Sequence, residues 1–357
     1  MSAARSHRVV VIKGDGIGPE LVDAALAVLA AAEEALGFKL EIDLREGGAG
    51  LYRKSGASLA ADTFEAIKLA DAAMKGPVGL PDVRLPDGTE AGLLGGVLRI
   101  GLDAYANVRP VRLLPGVEAP LKAKAGEIDY VIVRENTEGL YLSRGKGVGT
   151  SEAMADTLLV TRKGVERVAR YAFELARRRN GAKRVTCVDK ANVLASLAFF
   201  RRVFDEVGEA YPDIRREHLY ADAAAQALVL EPQRFDVLVM ENFLGDILSD
   251  LGGATVGGIG LCPSGNIGDR HAYFEPIHGS APDIAGQDKA NPVSQVLSAA
   301  LMLEHLGERD AGDLIRRAVD RTLETGKLVL GRHGQPQGGT RRAAATLAGT
   351  VSELARG

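Results

Sequence analysis

The chain has 357 residues, of which 46% are hydrophobic and 25% charged, with a formal net charge of −3. This length exceeds what one small core accommodates and predicts two lobes, while the lack of a basic excess argues against a nucleic-acid partner. Two cysteines, Cys187 and Cys262, exclude a disulfide framework. Neither a signal-peptide pattern nor an apolar run long enough to cross a membrane occurs, so we expect a cytoplasmic protein.

Short β-branched runs alternate with helical patterns along the chain. Residues 7–12 predict a buried strand that ends at the turn Gly14-Asp15-Gly16-Ile17-Gly18, and Pro19 suits the first turn of the following helix. Further strands are predicted at residues 130–133, 185–188 and 235–240, and helices at 165–178 and 196–207. This alternation predicts an α/β fold with a largely parallel sheet.

Two segments do not follow this alternation. Residues 79–92 are dense in Gly, Pro and Asp, which predicts a surface loop. Residues 141–163 mix Gly, polar and β-branched types without a helical period. We interpret this second segment as a protruding hairpin or arm, with residues 156–161 as a candidate strand.

Two carboxylates stand four residues apart in GDILSD (245–250), so a helix would place Asp246 and Asp250 on one face. Carboxylates at this separation repel each other unless a cation lies between them, and oxygen ligands suit Mg²⁺ or Mn²⁺. Acidic residues that complement the dipole at a helix N-terminus are an equally compatible interpretation.

Four cationic residues stand near the ends of predicted strands. The guanidinium groups of Arg99, Arg109 and Arg134 have the planar shape that binds carboxylates through two hydrogen bonds. Solvated surface charge is the alternative for any one of them, except Arg134, which ends an apolar strand. Lys190 follows another strand, at the edge of the sheet where ligands bind in α/β proteins. An exposed lysine at the start of a helix is the alternative for Lys190.

The segment EPIHGSAPDIAG (275–286) is rich in residues that bend the backbone. Its His278 and Asp283 are placed to face a ligand, and Asp283 would accept both ribose hydroxyls of an adenosine and repel a 2′-phosphate. By contrast, the glycine turn at 14–18 lacks the GxGxxG spacing of dinucleotide-binding Rossmann domains.

Six ordered motifs resemble those of the β-decarboxylating dehydrogenases, the family of isocitrate, 3-isopropylmalate, homoisocitrate and tartrate/D-malate dehydrogenases. The motifs are GDGIGPE (14–20), LDAYANVRPVR (102–112), VRENTEG (133–139) with Tyr141, DKANVL (189–194), NFLGDILSDLGG (242–253) and FEPIHGSAPDIAG (274–286), which Asn291 follows. The resemblance covers nearly the whole chain and implies an α/β, isopropylmalate dehydrogenase-like two-lobed fold without a Rossmann domain. A discontinuous large, cofactor-binding lobe would comprise residues 1–104 and 257–357. A small lobe of residues 105–256 would carry the arm and the interface of a homodimer with shared active sites.

The same resemblance implies the roles of individual residues. The substrate, a hydroxy-dicarboxylate, would be bound by Leu93, Leu94, Arg99, Arg109 and Arg134. The metal, Mg²⁺ or Mn²⁺, would be bound by Asp246 and Asp250 together with Asp222 of the neighbouring subunit. Lys190, also from the neighbour, would help to remove the C2 hydroxyl proton, and Tyr141 would protonate C3 after decarboxylation. The cofactor, NAD, would be bound by Glu275, His278, Gly279, Ser280, Ala281, Asp283, Ile284 and Asn291. NADP-using isocitrate dehydrogenases carry a Lys-Tyr pair where this chain has Asp283-Ile284, which favours NAD.

The substituent at C3 of the substrate is less strongly indicated. The stretch VRPVRLLPGVEAPL (108–121) resembles the tartrate/D-malate branch, whereas a two-residue gap would align Leu93 and Leu94 with the leucines of isopropylmalate enzymes. Gly95 and Gly96 leave room for a substrate larger than D-malate. We therefore expect oxidative decarboxylation of a (2R)-malate-type 2-hydroxy acid, either tartrate/D-malate or 3-isopropylmalate-like. Homoisocitrate or isocitrate dehydrogenase activity and a silent regulatory subunit are the alternatives.

Overall fold

The computed structural model is built on one ten-stranded sheet and describes residues 5–86, 88–91, 94–331 and 334–357. Within these residues the strands are β1 (Arg5–Ile12), β2 (Phe38–Arg45), β3 (Ala72–Lys75), β4 (Ala106–Arg112), β5 (Asp129–Glu135), β6 (Val148–Gly149), β7 (Met154–Ala155), β8 (Arg184–Asp189), β9 (Arg215–Tyr220), β10 (Val237–Met240), β11 (Pro263–Ile267) and β12 (Ala272–Pro276). The four strands predicted from the sequence are confirmed, with small differences at their ends.

Helices pack on the sheet between the strands. They are α1 (Gly18–Leu36), α2 (Ala49–Ser55), α3 (Ala61–Leu69), α4 (Leu94–Gly101), α5 (Arg162–Arg179), α6 (Ala195–Gly208), α7 (Ala221–Leu230), α8 (Asn242–Thr255), α9 (Val293–His305), α10 (Arg309–Glu324) and α11 (Thr340–Ala355). The helices predicted after the 14–18 turn and at 165–178 and 196–207 are confirmed as α1, α5 and α6. Of the helices that the structure describes, none combines the length and apolar character that a membrane crossing requires.

The sheet is parallel toward both edges and antiparallel in its centre. Its strand order is β2-β1-β3-β12-β11-β4-β5-β10-β8-β9, and the antiparallel pairs are β12 with β11, β11 with β4, and β4 with β5. The prediction of a largely parallel sheet is confirmed. The antiparallel centre departs from the alternation of strands and helices because β11 and β12 are joined directly by a tight turn, in which the Gly268 N–H donates to His271 O at 2.9 Å.

Strand order divides the sheet into two halves along the proposed lobe boundaries. β1–β3, β11 and β12 come from residues 1–104 and 257–357, and β4, β5 and β8–β10 come from residues 105–256. Separate hydrophobic clusters form on the two halves, one containing Val11 and Leu29 and another containing Phe173 and Val239. The exact lobe boundaries stay a prediction, and the pairing of β11 with β4 lies between the two halves of the sheet.

The turn between β1 and α1 packs directly on the segment 275–286. Gly14 and Gly16 have φ values of 76° and 56°, in the left-handed region that favours glycine. A Cβ at Gly16 would lie 2.0 Å from the carbonyl oxygen of Ser280, and the Ile17 N–H donates to that oxygen at 2.8 Å. Pro19 lies in the first turn of α1, as the sequence predicts.

The arm predicted at residues 141–163 begins with a 3-10 turn at Leu140–Ser143 and continues as a short hairpin of β6 and β7, on which Val148 and Met154 are exposed. The candidate strand at 156–161 is wrong, since only an isolated bridge joins Leu159 to Gly139. Thr161 instead caps α5 by accepting a hydrogen bond from the Gly164 N–H at 3.0 Å. This cap fixes the start of α5 at Arg162.

The loop predicted at residues 79–92 is confirmed over its described residues, 79–86 and 88–91. It contains only an isolated bridge between Arg84 and Glu90. Arg144, at the base of the arm, donates from Nη2 to the Glu90 carbonyl oxygen at 2.8 Å. The arm and the loop are therefore in contact beside α4.

We expect Gly16→Ala to lower the free energy of unfolding more than Gly56→Ala. Both glycines have positive φ, so both substitutions introduce backbone strain of about 1–2 kcal/mol. A Cβ at Gly56 meets no described atom within 4 Å, whereas the clash of Gly16→Ala with Ser280 should cost about 1–3 kcal/mol more. Urea unfolding of both variants measures the difference, and equal destabilisation would contradict the packing of this turn on Ser280.

Candidate active site

The side chain of Arg134 is fully buried at the C-terminal end of β5. Its Nε donates to Asn242 Oδ1 at 2.9 Å, and its Nη1 forms an ion pair with Asp246. Nη2 is buried and has no hydrogen-bond partner among the described residues. Burial and the neighbouring charges of Arg99 and Arg109 lower the pKa of Arg134 to about 9. The guanidinium group is therefore held beside like charges, with one donor edge free.

Arg109 approaches the same point from β4. Its Nε donates to Asn107 Oδ1 at 2.6 Å, and its Nη1 donates to Ser249 Oγ at 2.6 Å and lies 3.4 Å from Asp250 Oδ1. Burial, opposed by Asp246, lowers the pKa of Arg109, and the charge of Arg99 contributes to this shift. The three predicted arginines thus converge from a helix and two antiparallel strands.

Asp246 and Asp250 lie one turn apart on α8, facing these arginines. Burial alone would raise the pKa of Asp246, but the charges of Arg134, Arg109 and Arg99 hold it below the ordinary value. Burial raises the pKa of Asp250, and the nearby charge of Asp246 adds to this effect. Neither residue lies in the first turn of α8, which Glu241 caps, so the helix-dipole interpretation is not supported.

Tyr141 completes this cluster from the 3-10 turn at the base of the arm. Its hydroxyl donates to Asp246 Oδ2 at 2.6 Å, and its ring lies edge-on to Phe243. Burial and the hydrogen bond to Asp246 raise the pKa of Tyr141 to about 12, so the hydroxyl keeps its proton at neutral pH.

Lys190 and Asp222 lie together in a different place. Lys190 directly follows β8, as expected, and its Nζ is 2.8 Å from Asp222 Oδ1 in the first turn of α7. The hydrogen bond from Lys190 lowers the pKa of Asp222. Among the described contacts, none joins either residue to the arginine cluster. One subunit therefore does not assemble all the predicted catalytic residues.

Glu275, at the end of β12, extends the arginine cluster toward the predicted cofactor segment. It forms a buried ion pair with Lys75 of β3 and accepts a hydrogen bond from Asn266 Nδ2 at 3.0 Å. Although burial opposes ionisation, the charges of Lys75 and Arg99 lower the pKa of Glu275 to about 2. Lys75 was not predicted as a site residue from the sequence, although it ends an apolar strand just as Arg134 does.

The rest of the cofactor segment forms an exposed, tightly bent loop. His278 Nδ1 lies 2.9 Å from Gly279 O, the Ser280 hydroxyl donates to Gly79 O, and Ala281 has a φ of 35°. Ile284 packs against Ile17 and Leu21. Asp283 is exposed, and no described residue forms a hydrogen bond or ion pair with its carboxylate. The loop therefore presents Asp283 to solvent beside the glycine turn.

Two polar atoms of the cofactor set are buried and lack described partners: His278 Nε2 and Asn291 Nδ2. The orientation of the Asn291 amide is fixed because its Oδ1 accepts from the Val293 N–H at 3.0 Å. Buried polar groups of this kind normally find a partner. They fit a cofactor that carries several hydrogen-bonding groups.

Among the predicted specificity residues, Leu93 lies outside the described residues. Leu94 is fully buried and packs in a hydrophobic cluster with Ile12, Ile67 and Leu98. The expectation that Leu94 contacts substrate is therefore not supported, because its side chain faces the core under α4. The next two residues, Gly95 and Gly96, stand one turn before Arg99, and a Cβ at either would meet no described atom within 4 Å.

Comparison with known proteins agrees with this geometry. Residues 8–331 match the family model described as isocitrate/isopropylmalate dehydrogenase. The chain is 44% identical over 324 residues to a 3-isopropylmalate/3-methylmalate dehydrogenase of Methanocaldococcus jannaschii, an alignment that covers 90% of this chain and 92% of that protein. It is 47% identical over 332 residues to a 3-isopropylmalate dehydrogenase of Thermobifida fusca, with 90% and 92% covered.

Solved structures show the same similarity. An isocitrate dehydrogenase from Methylococcus capsulatus superposes with a TM-score of 0.87 and 39% identity, covering 97% of this chain and 99% of that one. A β-decarboxylating dehydrogenase from Thermococcus kodakarensis gives 0.81 and 37%, with 98% and 97% covered. The expected isopropylmalate dehydrogenase-like fold is confirmed, while a role for the arm in a dimer stays a prediction. Members of the isocitrate/isopropylmalate dehydrogenase family are decarboxylating dehydrogenases that act on a CH–OH group, and its 3-isopropylmalate dehydrogenases use NAD and Mg²⁺ or Mn²⁺. This chain belongs to that family.

Proposed function

We propose that this enzyme uses NAD and a divalent metal to oxidise and decarboxylate a (2R)-malate that carries an alkyl group at C3, as 3-isopropylmalate does. The observation that carries the proposal is the convergence of Arg99, Arg109 and Arg134 on Asp246 and Asp250. Three guanidinium groups match the two carboxylates of such a substrate. The relatives named 3-isopropylmalate and 3-methylmalate dehydrogenase support the same substrate class.

The donors left free on the arginines would bind the substrate carboxylates. Arg134 Nη2 and Arg99 Nε are buried without described partners, and a bound carboxylate would satisfy both. Tyr141, protonated at neutral pH, would give its proton to C3, and its hydrogen bond to Asp246 orients the hydroxyl.

Asp246 and Asp250 would hold the metal, because two oxygen donors that repel each other are stabilised by a hard divalent cation. When bound, that ion supplies a Lewis acid for the C2 oxygen and for the enolate that decarboxylation leaves. Within the described part of one chain, no group of three or more His, Cys, Asp or Glu side chains is arranged to hold a metal. A third carboxylate, Asp222, would come from the second subunit.

A homodimer would bring Lys190 and Asp222 into the partner's site. Within one chain these residues lie apart from the arginine cluster and contact each other. Apolar side chains close to Lys190 in sequence are exposed, with Val193 at 67% and Leu194 at 42%. Exposed apolar residues beside functional groups support an interface at this surface.

Room beside Arg99 favours a substituted malate over D-malate. Gly95 and Gly96 precede Arg99 by one helical turn and have open space around them, so an alkyl group at C3 would fit beside the guanidinium group. We therefore expect 3-isopropylmalate to give a higher kcat/KM than D-malate, tartrate, isocitrate or homoisocitrate.

Gly95→Leu should lower kcat/KM for 3-isopropylmalate by at least about tenfold, the usual effect of filling a substrate pocket, and should affect D-malate much less. Gly349→Leu, on the exposed face of α11 where a Cβ also meets no described atom within 4 Å, is the matched control. Rates of NADH formation with Mn²⁺ measure both variants. If D-malate or isocitrate is the preferred wild-type substrate, the alkyl-malate assignment is wrong.

NAD preference should depend on Asp283. Its exposed carboxylate would accept the ribose hydroxyls, a charge-assisted contact worth about 1.5–3 kcal/mol, and would repel a 2′-phosphate, so NAD should be favoured by roughly 100-fold or more. Replacing Asp283-Ile284 with Lys-Tyr should lower the ratio of kcat/KM for NAD to kcat/KM for NADP. The ratio of kcat/KM for the two cofactors is the measurement, and equal use of NAD and NADP by the wild type would contradict the placement of this loop.

Shared sites should allow two inactive variants to complement each other. Asp250→Asn should abolish metal-dependent turnover and Lys190→Ala should abolish proton transfer, while both leave the buried Arg134–Asp246 pair intact. Random mixing after reversible dissociation gives half mixed dimers with one intact site each, so about one quarter of wild-type activity should return. An absence of recovery, in dimers shown to have exchanged, would rule out sharing.

A further inference from the structure

A row of buried asparagines connects Arg109 to Glu275 through the centre of the sheet. Arg109 Nε donates to Asn107 Oδ1 at 2.6 Å, and Asn107 Nδ2 donates to Asn266 Oδ1 at 3.0 Å. Asn266 Nδ2 then donates to Glu275 Oε1 at 3.0 Å. Asn136 Nδ2 donates a second hydrogen bond to Asn266 Oδ1, also at 3.0 Å. The path crosses from β4 to β11 and β12, from one half of the sheet to the other.

Both ends of this row fix the orientation of every amide within it. A guanidinium group can only donate, so Asn107 must turn its oxygen toward Arg109 and its nitrogen toward Asn266. A carboxylate can only accept, so Asn266 must turn its nitrogen toward Glu275. Asn107 and Asn266 are fully buried, and neither can exchange its partner for water. Reversing one amide would set two buried donors against each other on one side and two acceptors on the other, so both of its hydrogen bonds along the row would be lost.

We infer that Asn266 is a positioning residue that holds the Glu275 carboxylate in place for NAD and couples it to the substrate-binding Arg109. This inference rests on the proposed function, because it takes Glu275 as a cofactor contact and Arg109 as a substrate contact. Lys75, Arg99 and Arg109 supply the positive charges that face Glu275, and Tyr273 and His278 are its other titratable neighbours. Among these contacts to Glu275, Asn266 is the neutral donor that connects back to the substrate arginines.

Asn266→Asp tests the role because the new side chain has nearly the same shape as asparagine. When protonated, its carbonyl oxygen accepts from Asn107 and Asn136, and its hydroxyl donates to Glu275 as the amide does. When ionised, it has no donor and places a second carboxylate against Glu275. Burial and the neighbouring Glu275 carboxylate disfavour ionisation of the new carboxyl group, so it loses its proton as the pH rises and keeps it toward acid pH.

The measurement is the affinity for NADH, from its fluorescence on binding to the full-length protein without substrate, across the pH range in which the wild type remains folded. Asn266→Asp should bind NADH at least about tenfold more weakly than wild type at the alkaline end of this pH range, and this difference should shrink toward acid pH. Asn266→Ala should be weakened by about tenfold at every pH. Ser264→Ala is the matched control, because Ser264 accepts from Asn107 at 2.7 Å on the same strand but does not lie on the path. This control should follow the wild-type pH profile.

Each outcome decides between positioning and simple packing. If Asn266→Asp follows the wild-type profile, or is weakened equally at all pH values, the inference is overturned. If Asn266→Asp does not fold, Asn266→Ala decides: NADH affinity equal to that of Ser264→Ala overturns the inference, and weaker affinity supports it. A wild type that does not bind NADH overturns the proposed function, an outcome distinct from a failure of Asn266 alone.

Discussion

Burial of three guanidinium groups at one place is the constraint on which the site depends. The charge of Arg99 lowers the pKa of both Arg109 and Arg134, the charge of Arg109 lowers that of Arg134, and burial adds to both effects. Asp246 offsets part of it by pairing with Arg134, and Glu275 offsets another part beside Arg99. A cluster that retains excess positive charge in a buried position is organised in advance for an anionic substrate.

This constraint also accounts for the local packing of α8. The helix must approach Arg134 closely enough for Asp246 to reach the guanidinium group, and a Cβ at Gly245 would lie 2.6 Å from Arg134 Cβ. Glycine at 245 therefore permits the contact that aspartate at 246 makes. The Asn242 side chain, one turn earlier, accepts from Arg134 Nε and donates to Glu138 O at 2.9 Å, which ties the start of α8 to the base of the arm.

Site residues that are marked by a pattern of neighbouring residues were predictable from the sequence. Arg134 ends an apolar strand, which indicated a buried charge, and the spacing of Asp246 and Asp250 indicated one helical face. Leu94 shows the limit, because an apolar residue five positions before an arginine fits a substrate pocket or a core equally well, and the packing of α4 decides. Lys75 lies on β3, which is distant in sequence from Glu275 and pairs with β12 in parallel. Asn266 contacts Glu275 across the antiparallel hairpin of β11 and β12, which strand–helix alternation does not predict.

Three buried side-chain atoms without partners in the two proposed binding regions have the same chemical character. Arg99 Nε, Arg134 Nη2 and Asn291 Nδ2 are all donors. An unsatisfied buried donor costs roughly 1–3 kcal/mol, so a protein that retains several loses stability unless a ligand supplies acceptors. A dicarboxylate and a dinucleotide are both rich in acceptors. The free donors therefore oppose the stability of the unliganded protein and favour ligand binding, and their position on both sides of Glu275 makes that residue the point where the substrate and cofactor regions meet.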